Sequence, residues 1–144
     1  RDVTEQKKIE EKLRYEQDLL NTVLNHIPVS VAVAEAPSGR LIRANEQFEK
    51  IWEQPFTPSK DIEDYNVNKG FHPDGAPYKP EEWPLSRSIT TGETVINEEI
   101  SVSFEDGTKK LLNVSSTPIK DKNGQIILGV VIAADITRRK KAEN

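Results

Sequence analysis

Few side chains in this sequence could carry out chemistry. Its 144 residues include two histidines, His26 and His72, and no cysteine. Without cysteine the chain has no thiolate nucleophile, no thiolate metal ligand and no disulfide. No nucleophile–base pair, cluster of metal ligands or glycine-rich nucleotide loop appears either. The sequence therefore disfavours an enzyme and favours a non-catalytic module.

The charge distribution argues against nucleic acid as a partner. The formal net charge is −4, and no basic face stands out. The one basic run, Arg138–Lys141, has the character of an exposed helix start. No stretch approaches the roughly 18 to 20 apolar residues of a membrane span, and no signal peptide is visible. We therefore expect a cytoplasmic location, either in a soluble protein or in the cytosolic part of a membrane-anchored sensor.

The elements that position the remaining side chains are organised around Asp135, Ile136 and Thr137. These residues follow Ile126–Ala134, the only run apolar enough to predict a strand buried on both faces. They precede the basic run, which favours a helix. Asp135 or Thr137 would cap this outgoing helix while Ile136 packs at the sheet edge, so the three residues are predicted to relay signals from strand to helix. Residues Asp2–Thr4 repeat the motif, as expected for one module of a tandem array.

Residues 3–26 are predicted to form an incoming helix, because neither proline nor glycine interrupts them. Its apolar positions follow a heptad seam with Glu16 as a polar gap. Such a helix would be about 36 Å long, more than a small domain needs, so we expect it to pair with a second copy in a homodimer. The chain would then divide into a linker helix (1–27), a core (28–137) and the start of an outgoing helix (138–144). The predicted dimer seam consists of Ile9, Leu13, Leu20 and Val23.

A hairpin is predicted directly after this helix, over residues 29–43. Its valines alternate with small residues from Val29 onward and are expected to form the packed face. Asn45 stands where the N-cap of a following short helix belongs. Residues 57–80 are rich in proline and glycine and are expected to be an irregular loop.

A helix over residues 84–91, with Gly92 as its C-terminal stop, precedes three predicted strands. In the first of these strands, Ile96 is expected to share the core face with Ile100, and Glu98 interrupts that face. Helices thus lie between two blocks of antiparallel strands, which makes the fold class α+β. The three strands are expected at 95–104, 109–119 and 125–134, joined by turns at Asp106-Gly107 and Asn123-Gly124.

Several short motifs, in this order, resemble those of a PAS domain. Each motif is weak alone, but together they are specific and span residues 25–137. They are Asn25-His26-Ile27-Pro28, Arg43-Ala44-Asn45-Glu46-Gln47-Phe48, Trp83-Pro84-Leu85, Thr91-Gly92-Glu93, Glu105-Asp106-Gly107-Thr108, Thr117 to Gly124 and Asp135-Ile136-Thr137.

The resemblance implies a five-stranded antiparallel sheet in the order 2-1-5-4-3. Short helices would cover one face of the sheet, and the long N-terminal helix would flank the other. The resemblance also implies a sensory and dimerisation module, most often of a histidine kinase, with neighbouring PAS and kinase domains in the same chain. Diguanylate cyclases carry such domains too.

The resemblance further implies a cavity between helices and sheet, and residue types limit its contents. Covalent flavin photosensors need a cysteine, which is absent. Haem-binding relatives place a histidine on the helix corresponding to residues 84–91, which has none, so haem is disfavoured; we expect His72 on the loop surface and His26 as a capping or packing residue. A small organic ligand, non-covalent flavin, or a filled core with no ligand all remain open. The candidate pocket residues are Phe48, Trp52, Tyr65, Trp83, Ser86, Ile89, Leu112, Val114 and Ser116.

Overall fold

The computed structural model describes residues 3–53, 69–104 and 106–143. Four helices are present in these segments, together with a short 3-10 helix at Pro80–Glu82. The incoming helix has the predicted bounds. The helices are α1 (Val3–His26), α2 (Glu46–Trp52), α3 (Pro84–Thr91) and α4 (Thr137–Glu143), and the strands are β1 (Ser30–Glu35), β2 (Leu41–Ala44), β3 (Lys69–Phe71), β4 (Val95–Ser103), β5 (Lys109–Lys120) and β6 (Ile126–Asp135).

The strands form one antiparallel sheet in the order β2-β1-β6-β5-β4-β3. The prediction of five strands was wrong, because the sheet has six. The additional strand is β3, which pairs Gly70 with Val102 at the edge and lies in the stretch predicted to be irregular. Three residues are too few to show a period of two, so this strand left no pattern in the sequence. The other five strands keep the predicted relative order.

The interior face of β1 is the opposite of the predicted one. Ser30, Ala32 and Ala34 are buried, while the valines between them are only half-buried on the other face. The reason is the close approach of α3, whose Leu85 and Ile89 pack against Ala34. Small side chains on this face leave room for the helix.

The close approach of α3 to the sheet also explains why residue 129 on β6 is a glycine. A Cβ atom at this position would meet Ile89 Cγ2 and would lie 2.9 Å from Leu85 Cδ1. The backbone of β6 is therefore in direct contact with α3.

Strand β6 is central, but it is not buried on both faces as predicted. Ile127 and Ile132 are each 43% exposed. The described side chains of α1, residues 4–23, are all exposed, so this helix does not pack over the second face of the sheet. Within the described residues, helices cover one face only, and the apolar run is explained by the strand's central position rather than by two-sided burial. Within the described residues, no helix has a stretch long and apolar enough to cross a membrane.

The predicted alternation of β4 was wrong at its start, because the strand contains a β-bulge. Ile96 is 74% exposed, whereas Val95 is buried with Ile100. The register shifts between Val95 and Glu98, and Asn97 adopts a positive φ of 54°. A bulge adds one residue to a strand and so reverses which side chains face inward beyond it. Glu98 is thereby placed against α3 and the segment that precedes it.

Asn45 is the N-cap residue of α2, as predicted, but its side chain makes no capping hydrogen bond. Its Oδ1 accepts a hydrogen bond from Val31 N (2.9 Å), and its Nδ2 donates to Val29 O (3.0 Å). The buried amide thus fixes the start of α2 against β1, which was not visible from local spacing.

The contact at Gly129 can be tested by substitution. Gly129→Ala should lower the free energy of unfolding by about 1–3 kcal/mol, because the added methyl overpacks a filled site. Ile89→Ala should cost about 2–5 kcal/mol through the cavity it leaves. In the double variant the methyl added at position 129 occupies part of that cavity, so the combined loss should be smaller than the sum. Urea denaturation of the four proteins measures this coupling, and additive losses would contradict the proposed packing.

Candidate functional site

An aromatic cluster lies between α2 and the β3–β4 end of the sheet. Trp52 on α2 meets Trp83 edge-on at 6.1 Å, and Tyr78 lies 5.1 Å from Trp83 between ring centroids. Phe48, one turn before Trp52, extends the cluster. Gly70 on β3 allows the indole to lie on the backbone, since a Cβ there would be 2.6 Å from Trp83 Cη2. These rings close the inner side of the sheet at its β3 edge.

A charged network lies beside these rings and is centred on Glu98. Its carboxylate accepts hydrogen bonds from the Tyr78 hydroxyl and from Arg87 Nη2, each at 2.6 Å. Arg87 Nη1 donates to Glu93 at 3.0 Å. We refer to Tyr78, Arg87, Glu93 and Glu98 as the Glu98 network. It connects α3 to β4 and to the segment that follows β3.

The pKa values in this network follow from burial and from the shared carboxylate. The Tyr78 ring is 3% exposed, and burial raises the pKa of its hydroxyl, an effect reinforced by the hydrogen bond to Glu98. Burial acts to lower the pKa of Arg87, but the hydrogen bond and charge of Glu98 outweigh it and leave that pKa raised. The network therefore contains a neutral phenol and a firmly charged guanidinium around one carboxylate.

His72 is not the surface residue expected from the sequence, because it is half-buried against Tyr78. The two rings stack at 3.8 Å with an interplanar angle of 13°. His72 Nε2 lies 3.3 Å from Glu82 Oε1, which also accepts the backbone N–H of Lys79 at 2.8 Å. The Lys79 N–H, followed by the bond to His72, lowers the pKa of Glu82. His72 thus extends the Glu98 network towards the 3-10 helix.

Five of the nine predicted pocket residues lie in two separate apolar clusters. Trp83, Leu112 and Val114 belong to one buried cluster, with Trp52 packed against it. Ile89 belongs to a second cluster, over Ala34.

The other pocket candidates differ in their surroundings, and Tyr65 lies outside the described residues. Phe48 is buried. Ser116 Oγ is hydrogen-bonded to Ser88 Oγ at 2.6 Å, whereas the buried Ser86 hydroxyl has no partner. That these residues line a ligand pocket stays a prediction.

The predicted relay residues form a local hydrogen-bonded junction between β6 and α4. Asp135 Oδ1 accepts from Thr137 N (3.0 Å) and from Thr137 Oγ1 (2.6 Å). Thr137 Oγ1 in turn accepts the backbone N–H of Leu111 on β5 at 2.8 Å. Ile136 is buried, and its N–H donates to Leu111 O at 2.9 Å. The start of α4 is therefore attached to two strands.

The junction between α1 and the sheet uses His26 and Asn21. His26, the last residue of α1, donates from Nδ1 to Thr22 O at 2.7 Å and so caps the helix C-terminus. Asn21 Oδ1 accepts from Arg43 Nη2 on β2 at 3.1 Å. These bonds place the end of α1 next to the edge strand.

Comparison with known proteins agrees with this architecture. The family whose profile matches residues 24–141 is described as the PAS fold. The chain belongs to the PAS family. No curated protein matches the sequence.

Solved PAS structures share the fold at low sequence identity. An RNA-binding light-oxygen-voltage receptor superposes with a TM-score of 0.64 and 18% identity, over 88% of this chain and 35% of that protein. The light-oxygen-voltage domain of a blue-light activated histidine kinase from Erythrobacter litoralis superposes with a TM-score of 0.57 and 20% identity, over 78% of this chain and 98% of that one. The N-terminal domain of a diguanylate cyclase with a PAS/PAC sensor from Marinobacter aquaeolei superposes with a TM-score of 0.58 and 15% identity, over 78% of this chain and 98% of that one. At these identities the likeness shows the fold alone.

Sequence reasoning missed the pairing that forms the Glu98 network of this PAS domain. Tyr78 and Arg87 sit in stretches predicted to be loop and helix, with no pattern that pairs them with β4. Glu98 did leave a signal, because it interrupts an apolar alternation in a strand. A carboxylate at such a position needs polar partners inside the fold, and here Tyr78 and Arg87 supply them.

The raised pKa of Tyr78 predicts a pH dependence of stability. Its stabilising contribution is complete below about pH 10, the ordinary tyrosine pKa, and is lost as the pH rises from there towards the higher folded-state value. Above about pH 10 the wild-type free energy of unfolding should fall more steeply than that of Tyr78→Phe, by up to about 1.4 kcal/mol per pH unit. Urea denaturation at a series of alkaline pH values measures the difference.

The matched control is Tyr15→Phe, since Tyr15 is 67% exposed on α1. Titrating groups that do not interact with a substituted tyrosine contribute equally in all three proteins, so their contributions cancel in the comparison. Tyr15→Phe should follow the wild type. Parallel loss of stability in wild type and Tyr78→Phe would contradict a buried, neutral Tyr78.

The role of the Thr137 hydroxyl at the junction between β6 and α4 can be tested by removing it with little change in the shape of the side chain. Thr137→Val leaves the Leu111 N–H without its acceptor and should lower the free energy of unfolding by about 1–3 kcal/mol. Thr137→Ser keeps the hydroxyl and should cost about 0.5 kcal/mol or less. Amide hydrogen exchange at Leu111 should be faster in the valine variant alone. Equal exchange in both variants would show that the bond does not hold the junction.

Proposed function

We propose that this PAS domain is a non-catalytic sensory and dimerisation module that relays signals through its flanking helices. The parent protein would be a cytoplasmic or membrane-anchored sensor histidine kinase with neighbouring PAS and kinase domains. Support for a kinase rather than a diguanylate cyclase comes only from the frequency with which kinases carry such domains. The observation that carries the proposal is the exposed apolar seam of α1.

The seam consists of side chains that a soluble monomer would not favour on its surface. Ile9, Leu13, Leu20 and Val23 are 59%, 60%, 57% and 48% exposed. Their spacing fits a seven-residue repeat, the period of a coiled-coil interface. Packing against the same seam of a second copy would bury all four side chains.

The connection of both flanking helices to paired strands supports a relay. Strand β1 begins shortly after α1 ends, and Ser30 at its start pairs with Ala133 near the end of β6. Helix α4 follows β6 after Asp135, and the two helices therefore join neighbouring ends of one strand pair. A change in the β1–β6 geometry would alter the angle between α1 and α4. Biasing such a two-state element requires only a few kcal/mol of differential stabilisation.

The dimer seam is tested by charge substitution. The doubly substituted protein Leu13→Glu with Leu20→Glu should be monomeric, because four carboxylates would meet in an apolar interface. The control is Tyr15→Glu, a change of an exposed apolar residue off the seam, which should stay dimeric. Sedimentation equilibrium measures all three proteins. A monomeric wild type, or a dimer that survives the double substitution, would contradict the proposed interface.

The relay needs a separate experiment in the full-length parent. This chain has no cysteine, so in a parent whose remaining cysteines are replaced, a single Leu13→Cys substitution provides a defined cross-linking site. Cross-linking between α1 helices should differ between the two signalling states, and Tyr15→Cys should cross-link poorly in both. Identical yields at Leu13→Cys in both states would count against a movement of α1.

A second candidate function is ligand sensing at the same interior. The specific observation in its favour is a group of buried polar atoms without hydrogen-bond partners at the start of α3. Mass spectrometry of the denatured, purified protein would detect a retained small molecule. Ligand binding and dimerisation are independent, so either could hold without the other.

A further inference from the structure

The first turn of α3 is buried and begins without a side-chain cap. Trp83 occupies the N-cap position but offers no side-chain capping bond, and Pro84 follows as the first helical residue. The first amides of a helix have no acceptor within the helix itself. This turn is enclosed, since Trp83 is 6% and Ser86 0% exposed.

The side chains of the same turn add donors rather than acceptors. Among the described residues, Trp83 Nε1, Ser86 Oγ and Arg87 Nε are buried and have no hydrogen-bond partner. Buried polar atoms in native proteins are nearly always paired, because desolvation without a compensating bond is costly. Three such atoms within five residues favour an acceptor that the described residues do not supply.

Ser88, two residues further along the same helix, shows the contrast. Its hydroxyl is 2.7 Å from Glu93 O and 2.6 Å from Ser116 Oγ. The fold therefore satisfies a buried serine on α3 where the role is structural. The Ser86 hydroxyl, on a different side of the helix, is left unpaired.

The charges around the turn select the kind of acceptor. The positive charge of Arg87 is already paired with Glu93 and Glu98. A further anion would be buried beside carboxylates with no free cation among these partners, which is unfavourable. Of the three unpaired atoms, Arg87 Nε belongs to a guanidinium whose charge Glu93 and Glu98 already balance. The indole N–H and the serine hydroxyl are neutral groups that suit an uncharged carbonyl oxygen.

We propose that the first turn of α3 binds the carbonyl oxygen of an uncharged small molecule through Trp83 Nε1 and Ser86 Oγ. Trp52 and Tyr78 pack against the Trp83 indole and would contact the apolar part of such a molecule if it entered beside them. The inference rests on the ligand-sensing form of the proposed function and deepens it by naming the chemical class. It does not depend on the α1 dimer.

The test compares phenylacetamide with phenylacetate, which differ in charge but share the ring and the carbonyl. The ¹⁵N–¹H signal of the Trp83 indole is followed during titration, and the Trp52→Phe variant assigns it, since the chain has two tryptophans. Phenylacetamide should move the Trp83 signal downfield in a saturable way as its N–H gains an acceptor. Phenylacetate should bind at least about tenfold more weakly, as expected for an anion buried beside carboxylates.

Two matched serine variants identify the atoms involved. Ser86→Ala should weaken phenylacetamide binding about fivefold, the loss of one hydrogen bond, while leaving the melting temperature of the free protein unchanged or higher. Ser88→Ala should lower the melting temperature without changing the affinity.

Three outcomes would overturn the proposal. They are an unmoved Trp83 signal, tighter binding of phenylacetate, and a Ser86→Ala variant whose free form is destabilised as much as Ser88→Ala. The last outcome would show that an ordered water already satisfies the hydroxyl. Sedimentation of the same samples separates this failure from a failure of the α1 dimer.

Discussion

The arrangement of the interior depends on the close contact between α3 and β6 at Gly129. No side chain separates the helix from the strand there, and Leu85 and Ile89 lie against the backbone. The neighbouring strand can then carry only small inward residues, such as Ala34. The bulky apolar side chains are displaced to the β4–β3 side, where the aromatic cluster around Trp83 fills the space.

The Glu98 network holds α3 from its other flank. The β4 bulge turns Glu98 inward, where Arg87 of α3 and Tyr78 share its carboxylate. A half-buried carboxylate with charged and neutral donors is stable only while both donors remain in place. The helix is thus fixed by packing on one side and by hydrogen bonds on the other.

The parts of the fold that sequence could predict are those governed by local chemistry. The Asp106-Gly107 and Asn123-Gly124 turns set the strand boundaries of β4 to β6, because few other residues tolerate such turns. The inward faces of β1 and β4 were mispredicted for non-local reasons. In β1 the buried face depends on how near α3 comes, and in β4 it depends on one inserted residue. The candidate site followed the same division. Trp52, Trp83 and Ser86 were named from residue type and position, while the pairing of Tyr78 and Arg87 with Glu98 was not, because only the tertiary structure brings these three residues together.

Strand β6 links the interior to the outgoing helix. Gly129 contacts α3, and Asp135, six residues later, begins the junction that holds Thr137. At about 3.3 Å per residue, these points are roughly 20 Å apart along one strand. Because α3 meets the backbone of β6 rather than a flexible side chain, a shift of α3 would be passed directly to the strand. The Leu111 N–H bond to Thr137 ties the same end to β5, so the strand cannot absorb the shift by fraying there. A ligand that pairs with the first turn of α3 would therefore act on a helix in direct contact with the strand that leads into α4.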